Sequence, residues 1–273
     1  MKNYIQAPLP FQGQKRRFLN DFKTVLKNYN PKSIYIDLFG GSGLLSHTVK
    51  QLYPEANVIY NDFDNYSKRL ANISCTNEIL SKIRGFLADV PKGKKVPQDI
   101  KAQILQVIGG YDAICFVDYI TLSSSLLFSA NYVTNYSDLA KSTFYNVIKQ
   151  VDYNCDNYLN GVERIHLDYK SIYDQYSSNQ NVVWLVDPPY LSTDSSSYNS
   201  NGYWKLKDYL DVLQVLEKHS YIYFTSNKSS IVELCEWIES KVPNANPFAG
   251  ANLKTVSVQL NCNSSYTDMM YYK

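Results

Sequence analysis

The sequence predicts an α/β fold, a doubly wound sheet interrupted by a mostly helical insertion. Three observations lead there. Residues 34–39, Ile-Tyr-Ile-Asp-Leu-Phe, read as a strand that runs into the glycine turn Gly40-Gly41-Ser42-Gly43 and a helical stretch from Leu44 to about Leu52. A second strand follows at Asn57–Tyr60. Val182-Val183-Trp184-Leu185-Val186 is a continuous apolar run of strand length, as a buried strand requires. Between these regions, from about Asn65 to Gly161, helical periodicity replaces the β pattern, broken at Pro91–Lys95 and at Gly109-Gly110.

The remaining elements follow in order. Arg164–Leu167 and Tyr221–Thr225 read as further strands. Helices are expected from about Leu206 to His219 and from Ser230 to Ser240, and strands at Thr255–Leu260 and Met269–Tyr272 close the chain. The pattern divides the chain into one α/β domain, residues 1–64 with 162–273, and an inserted helical subdomain, residues 65–161. Residues 192–202 are polar and end in glycine, which reads as a mobile loop.

Composition bounds the function. Of 273 residues, 45% are hydrophobic and 19% charged, a globular balance with enough apolar surface for a large core. The net charge of +2 is too small to argue for a nucleic-acid partner. Lys2, Lys15, Arg16, Arg17, Lys23, Lys27 and Lys32 nevertheless precede the first strand with only Asp21 against them, a cluster suited to phosphates or to a solvated helix face. The five cysteines are scattered, form no C-x-x-C pair and have no histidines at ligand spacing beside them. A structural zinc and a disulfide framework are therefore not expected, and a reducing cytoplasm is the natural compartment. No signal-like stretch and no run near ~18 apolar residues is present, so no membrane partner is expected.

The chemistry concentrates after two strands. Asp187-Pro188-Pro189-Tyr190 follows the apolar run at 182–186. A carboxylate there accepts one N–H of a planar amino group, a main-chain carbonyl held open by proline accepts the second, and the tyrosine offers a flat face for a ring. Aspartate and proline are also ordinary turn residues, so the tetrapeptide alone allows a plain surface turn. After the first strand, Asp37-Leu38-Phe39-Gly40-Gly41-Ser42-Gly43 is a strand-to-helix turn whose glycines let backbone approach a ligand. A dinucleotide site would add a glycine at Ser46, where none stands, so a nucleoside without pyrophosphate fits better. Asp62 ends the next strand, about 20 residues on, where a carboxylate holds ribose hydroxyls.

These residues together resemble the DNA adenine methylase family, N6-adenine-specific enzymes that use S-adenosylmethionine. Phe11-Gln12-Gly13-Gln14-Lys15 resembles its N-terminal motif, with Gln14 where a glycine is usual. Phe39, Gly41 and Gly43 match the methyl-donor loop, and Asp62 the ribose acid. His166-Leu167-Asp168-Tyr169 resembles the segment whose aspartate meets the donor adenine, and Asp187–Tyr190 is the catalytic motif. Tyr223–Asn227 resembles a later strand with a Ser-Asn end. Near the C-terminus, Asn263–Asp268 lacks an expected basic residue. The likeness spans nearly the whole chain.

The resemblance implies a Rossmann-like S-adenosylmethionine-dependent methyltransferase fold with the inserted lobe recognising the target. It implies Asp187, Pro188 and Tyr190 as catalytic residues and no metal. Phe11, Gly13, Lys15, Asp37, Phe39, Gly41, Gly43, Asp62, Asp168, Tyr169 and Asp187 would line the cofactor site. The implied partner is double-stranded DNA, with or without a cognate restriction enzyme, and oligomeric state stays open. Within the insertion, Lys92, Lys94 and Lys95 are candidates for phosphates or simply solvated. Leu122–Tyr132 reads either as a DNA face or as a packed helix and turn. Tyr198, Tyr203 and Trp204 read as further walls for a flipped base or as anchors of the loop. RNA adenine or DNA cytosine as substrate, and a non-catalytic binding partner, are the competing readings.

Overall fold

Side-chain alternation along the strands decides the layers. In the computed structural model, which describes residues 3–128, 131–191, 204–217, 219–261 and 264–273, the elements run in order as follows. They are α1 (Leu19–Leu26), β1 (Ile34–Asp37), α2 (Leu44–Leu52), β2 (Asn57–Asn61), α3 (Tyr66–Ala71), α4 (Ile73–Phe86), α5 (Gln98–Asp112), α6 (Tyr119–Leu126) and α7 (Tyr136–Lys141). There follow β3 (Glu163–Ile165), α8 (Tyr169–Tyr176), β4 (Val182–Val186), α9 (Leu206–Leu213), β5 (Ser220–Ser226), α10 (Ile231–Glu239), β6 (Asn252–Asn261) and β7 (Ser264–Tyr272).

The described residues separate into two compact units, one made of Met1–Gln6, Gln14–Asp64 and Leu159–Lys273, the other of Ala7–Gly13 and Asn65–Tyr158. The first holds a seven-stranded sheet of order β3-β2-β1-β4-β5-β7-β6. β1 to β5 are parallel, and β7 runs antiparallel between β5 and β6. This is the sheet of a Rossmann-like methyltransferase fold, with the strand count the periodicity predicts.

Every residue of β4 is buried, as a central parallel strand covered on both faces demands. Val182, Trp184 and Val186 point into one core with Ile36, Tyr221, Tyr223 and residues of α8, α9 and α10. Val183 and Leu185 point into the other with Tyr35, Ile222, Phe224 and residues of α1 and α2. The chain builds outward from β1 through β2 to β3, then returns to lay β4 on the other side of β1. A crevice opens at the carboxyl ends of strands where the order reverses so. Phe39–Gly43 and Asp187–Tyr190 stand there.

Several boundaries differ from expectation for local reasons. β1 stops at Asp37 because Leu38 and Phe39 already turn toward the glycines. The helix expected to reach His219 ends at Leu213 and tightens into a 3-10 turn over Gln214–Leu216. β6 and β7 are longer than predicted because they form one hairpin, in which each strand supplies the other's hydrogen bonds.

The second unit is helical, α3 to α7. Its polar centre is Arg69, whose Nε lies 3.0 Å from Asp118 Oδ2 and whose Nη2 donates to the Pro10 carbonyl (2.8 Å) and Thr121 Oγ1 (3.2 Å). Asp118 also caps α6 by accepting from the Thr121 amide. Among the described residues the cysteines build no disulfide framework, and a single pair, Cys75 of α4 and Cys115 after α5, is brought together, with Cα atoms 7.4 Å apart. The turn between the two helices brings together residues 40 apart in sequence, which spacing alone does not reveal. Leu122–Tyr132 resolves toward the packed helix, with Leu122, Leu126 and Leu127 buried; residues 129–130 lie outside the described residues. Lys92, Lys94 and Lys95 are exposed. Among the described residues, no helix is long and apolar enough to cross a membrane.

Candidate active site

The first wall of the site is a backbone turn held by its neighbours. Gly41 and Gly43 take positive φ angles of 50° and 72°, conformations that favour glycine, and Gly43 opens α2. A side chain at Gly40 would run into the Tyr60 ring. Tyr60 also clamps the turn with its hydroxyl, 2.7 Å from the Gly41 carbonyl and 3.0 Å from Asp62 Oδ1. Asn61 joins three strand ends. Its amide donates to the Leu38 and Leu167 carbonyls (3.0 Å each), and its oxygen accepts from the Leu167 amide (3.1 Å).

Asp62 is fully buried, and its second oxygen lies 2.8 Å from Nε of Arg164. Both carboxylate oxygens are thus engaged, the second by the half-exposed Arg164. Next to it, Phe63 is 49% exposed and stacks on His166 at 5.4 Å, leaving an aromatic face beside the turn. Asp168 is exposed and caps α8 by accepting from the Lys170 amide (2.9 Å). Tyr169 packs against Phe39 (5.4 Å) and stacks on Trp204 (5.8 Å), and Trp204 meets the edge of Tyr209 (5.1 Å). Trp204 is therefore an anchor within this aromatic cluster. Tyr198 and Tyr203 lie outside the described residues, as does the whole of the 192–202 loop.

The second wall follows β4. Asp187 Oδ2 lies 2.5 Å from Lys15 Nζ, with the side chains 19% and 9% exposed. The same ammonium stands 5.3 Å from the Tyr190 ring centroid and 5.8 Å from that of Phe224. Burial raises the Asp187 carboxyl above the ordinary carboxylate range, Lys15 pulls it back, and Asp268 of β7 adds to the rise. Pro188, next in the chain, is buried.

Asp37 completes the group. Its Oδ2 accepts from Ser46 Oγ (2.7 Å), while its Oδ1 has no hydrogen-bond partner among the described residues. Burial pushes its carboxyl up to about 7, Asp187 adding to the rise while Ser46 and Lys15 oppose it. Ser46, where a dinucleotide site would have glycine, thus serves as this carboxylate's donor.

The predicted residues therefore divide. Lys15, Asp187 and Tyr190 stand together, with Asp37 close enough to feel the charges of Asp187 and Lys15. Phe39 and Tyr169 stand in one aromatic cluster. Phe11 and Gly13 belong to the second unit, where Phe11 meets Tyr66 edge-on at 5.7 Å and Tyr66 hydrogen-bonds both backbone groups of Leu9. Sequence reasoning missed Tyr60, Asn61, Phe63, Arg164 and Asp268. A signal existed for the first three, because they flank Asp62 at a strand end. Arg164 and Asp268 carry none, since their partners are distant in sequence.

A sheet of this order, with a glycine turn after β1 and Asp-Pro-Pro-Tyr after β4, defines a methyltransferase, an enzyme whose cofactor is S-adenosyl-L-methionine. The model of the D12 class N6 adenine-specific DNA methyltransferase family matches residues 11–247, and the chain belongs to that family. It is 37% identical over 279 residues to a Haemophilus influenzae protein named "Putative methyltransferase", covering all of this chain and 93% of that one. Among solved structures it is similar to precorrin-6y C5,15-methyltransferase from Geobacter metallireducens. The TM-score is 0.41 with 9% identity over all of this chain and 99% of that one, a likeness too slight to carry an argument.

The residues present fit the cofactor. Asp37 keeps an oxygen without a hydrogen-bond partner among the described residues, deep in the turn after β1, which suits a ligand bearing a sulfonium and an ammonium.

Proposed function

We propose that the protein transfers a methyl group to the N6 amine of an adenine flipped out of duplex DNA. The observation that carries this reading is the Asp187 carboxylate directly after β4, largely out of solvent and paired with the Lys15 ammonium that stands over the Tyr190 ring. In the duplex that amine is paired, so the base leaves the stack first. Tyr190 then offers its ring as a stacking face, recovering about 1–3 kcal/mol.

An exocyclic amine is a weak nucleophile because its lone pair is delocalised into the ring. Asp187 and the Pro188 carbonyl accept its two N–H groups, favour a pyramidal nitrogen and free the lone pair. S-adenosylmethionine, when bound, supplies an electrophilic methyl on sulfur. As nitrogen takes the methyl it becomes cationic, and the anionic Asp187 stabilises that charge more in the transition state than before it. The surplus proton leaves the nitrogen afterwards.

In this reading Phe39–Gly43 and Asp37 hold the donor, Phe63 and Asp168 flank its adenine, and Asp62 takes its ribose once Arg164 moves aside. Residues 65–161 read the target sequence, and Lys92, Lys94 and Lys95 meet phosphates. Lys15 holds Asp187 ionised.

Mass spectrometry of nucleosides from duplex DNA and from total RNA, each incubated with the protein and S-adenosylmethionine, tests the substrate. N6-methyladenine in DNA is expected. Methylcytosine alone, or methylation confined to RNA, overturns the substrate and leaves the amino-methyl chemistry standing.

A further inference from the structure

At the carboxyl end of the sheet, three carboxylates, Asp37, Asp187 and Asp268, lie within electrostatic reach of the buried Lys15 ammonium. Asp37 ends β1, Asp187 follows β4, and Asp268 stands on β7 in register with Ser226 of β5. Strand alternation sets the direction in which Asp268 faces. Met270 pairs with Phe224 and is buried with it in the core shared by α1 and α2. Ser226 and Asp268 are the next pair along that same face. Lys15 arrives on this face too, with its ammonium 5.8 Å from the Phe224 ring.

Asp268 is half-buried where the charges of Lys15 and Arg17 reach it, and its own charge reaches Asp187. Other groups face this cluster. Tyr266 neighbours Asp268 and Arg17, Lys228 stands 4.9 Å over the Tyr266 ring, and Asp37 and Tyr223 face Asp187.

We propose that Asp268 is a positioning residue that shares the Lys15 ammonium with Asp187 and takes it over when Asp187 turns to the target amine. The inference rests on Asp187 being the acceptor of that amine. A carboxylate bound to a buried ammonium is a poor acceptor for a second donor. Moving the ammonium into apolar surroundings unpaired costs several kcal/mol. A second carboxylate on the same face removes that obstacle, because Lys15 changes partner without losing one. No bond is made or broken and no proton moves in this exchange.

The experiment uses the full chain labelled with carboxyl-13C aspartate. The Asp187 signal is identified by its absence in Asp187→Asn, and its titration midpoint is followed by NMR in the ligand-free protein. In Asp268→Asn the midpoint falls by about half a unit or more, since a repelling anion is gone. Single-turnover methyl transfer at neutral pH slows by about tenfold, the scale of 1.4 kcal/mol. The dissociation constant for S-adenosylmethionine stays within about twofold, the range left by substitutions that miss the ligand. Asp268→Glu restores both midpoint and rate.

An unmoved midpoint overturns the sharing of Lys15. A midpoint that falls while the rate holds overturns the handover. Methyl transfer only to RNA or cytosine removes the proposed substrate, yet the titration still judges Asp268, and the rate is then measured on the substrate found.

Discussion

The Lys15 ammonium lies 2.5 Å from Asp187 Oδ2, with both side chains largely out of solvent. Burial opposes ionisation of Asp187 and Lys15 favours it, so removing this contact shifts the aspartate toward its protonated form. Lys15→Met therefore raises the Asp187 midpoint by about one unit or more. The acid limb of the pH–rate profile moves to higher pH, while Lys15→Arg keeps it near its place. An acid limb that stays put in Lys15→Met separates Lys15 from the state of Asp187.

Asp187→Ala abolishes methyl transfer, a loss of about a thousandfold or more, the scale of a removed electrostatic stabiliser. Its affinity for S-adenosylmethionine changes little, because the carboxylate acts chiefly on the amine as it becomes cationic. Calorimetry beside a labelled-methyl assay checks both halves. Robust transfer by this variant contradicts the mechanism.

Tyr190→Ala slows transfer by about tenfold to a hundredfold, the range of a lost base stack of 1–3 kcal/mol. Tyr190→Phe retains most of the rate, since stacking needs the ring rather than the hydroxyl. Equal losses in the two variants point to a role for the hydroxyl instead.

Asp62 and Arg164 make opposed predictions. Asp62→Ala weakens donor binding by about 1–3 kcal/mol, the scale of a lost hydrogen bond to a charged group. Arg164→Ala leaves Asp62 in place and removes one donor from its Oδ2, so donor affinity holds or rises. Calorimetry that finds unchanged affinity in Asp62→Ala removes Asp62 from the donor site. Arg164 weakening the donor on removal makes it a ligand contact rather than a competitor.

Asp37 couples the site to protons. The folded protein holds its proton to about pH 7, whereas the free carboxyl releases it near 3.8. Between these values the folded state binds more protons, so stability falls as pH rises through the window and levels off above it. Asp37→Asn lacks this fall. A cationic donor bound beside Asp37 favours its ionised form, so binding near neutral pH releases a proton. Calorimetry in buffers of differing ionisation enthalpy detects the release, and its persistence in Asp37→Asn assigns the proton elsewhere.

Local pattern explains what was legible. The bounds of α2, Leu44–Leu52, and of β4, Val182–Val186, coincide with expectation because periodicity, glycine placement and apolar run length are properties of neighbouring residues. The glycine turn and Asp187–Tyr190 were visible for the same reason, each at a strand's end. Asp62 was legible as a strand-end carboxylate, but Arg164 on its second oxygen was not, because that partner arrives on β3 after the whole helical insertion.

The sequence by itself determined that this chain is an α/β methyltransferase of the D12 family, since order and spacing of short motifs are linear information. Tertiary structure alone decided which charges meet. Lys15 precedes β1, Asp187 follows β4 and Asp268 lies on β7, and only a sheet that reverses its order at β1 and β4 and ends in an antiparallel hairpin brings them to one end. It likewise decided that Asp37 sits deep enough for burial to push its carboxyl up to about 7, because burial depends on how two helical layers close over the strands.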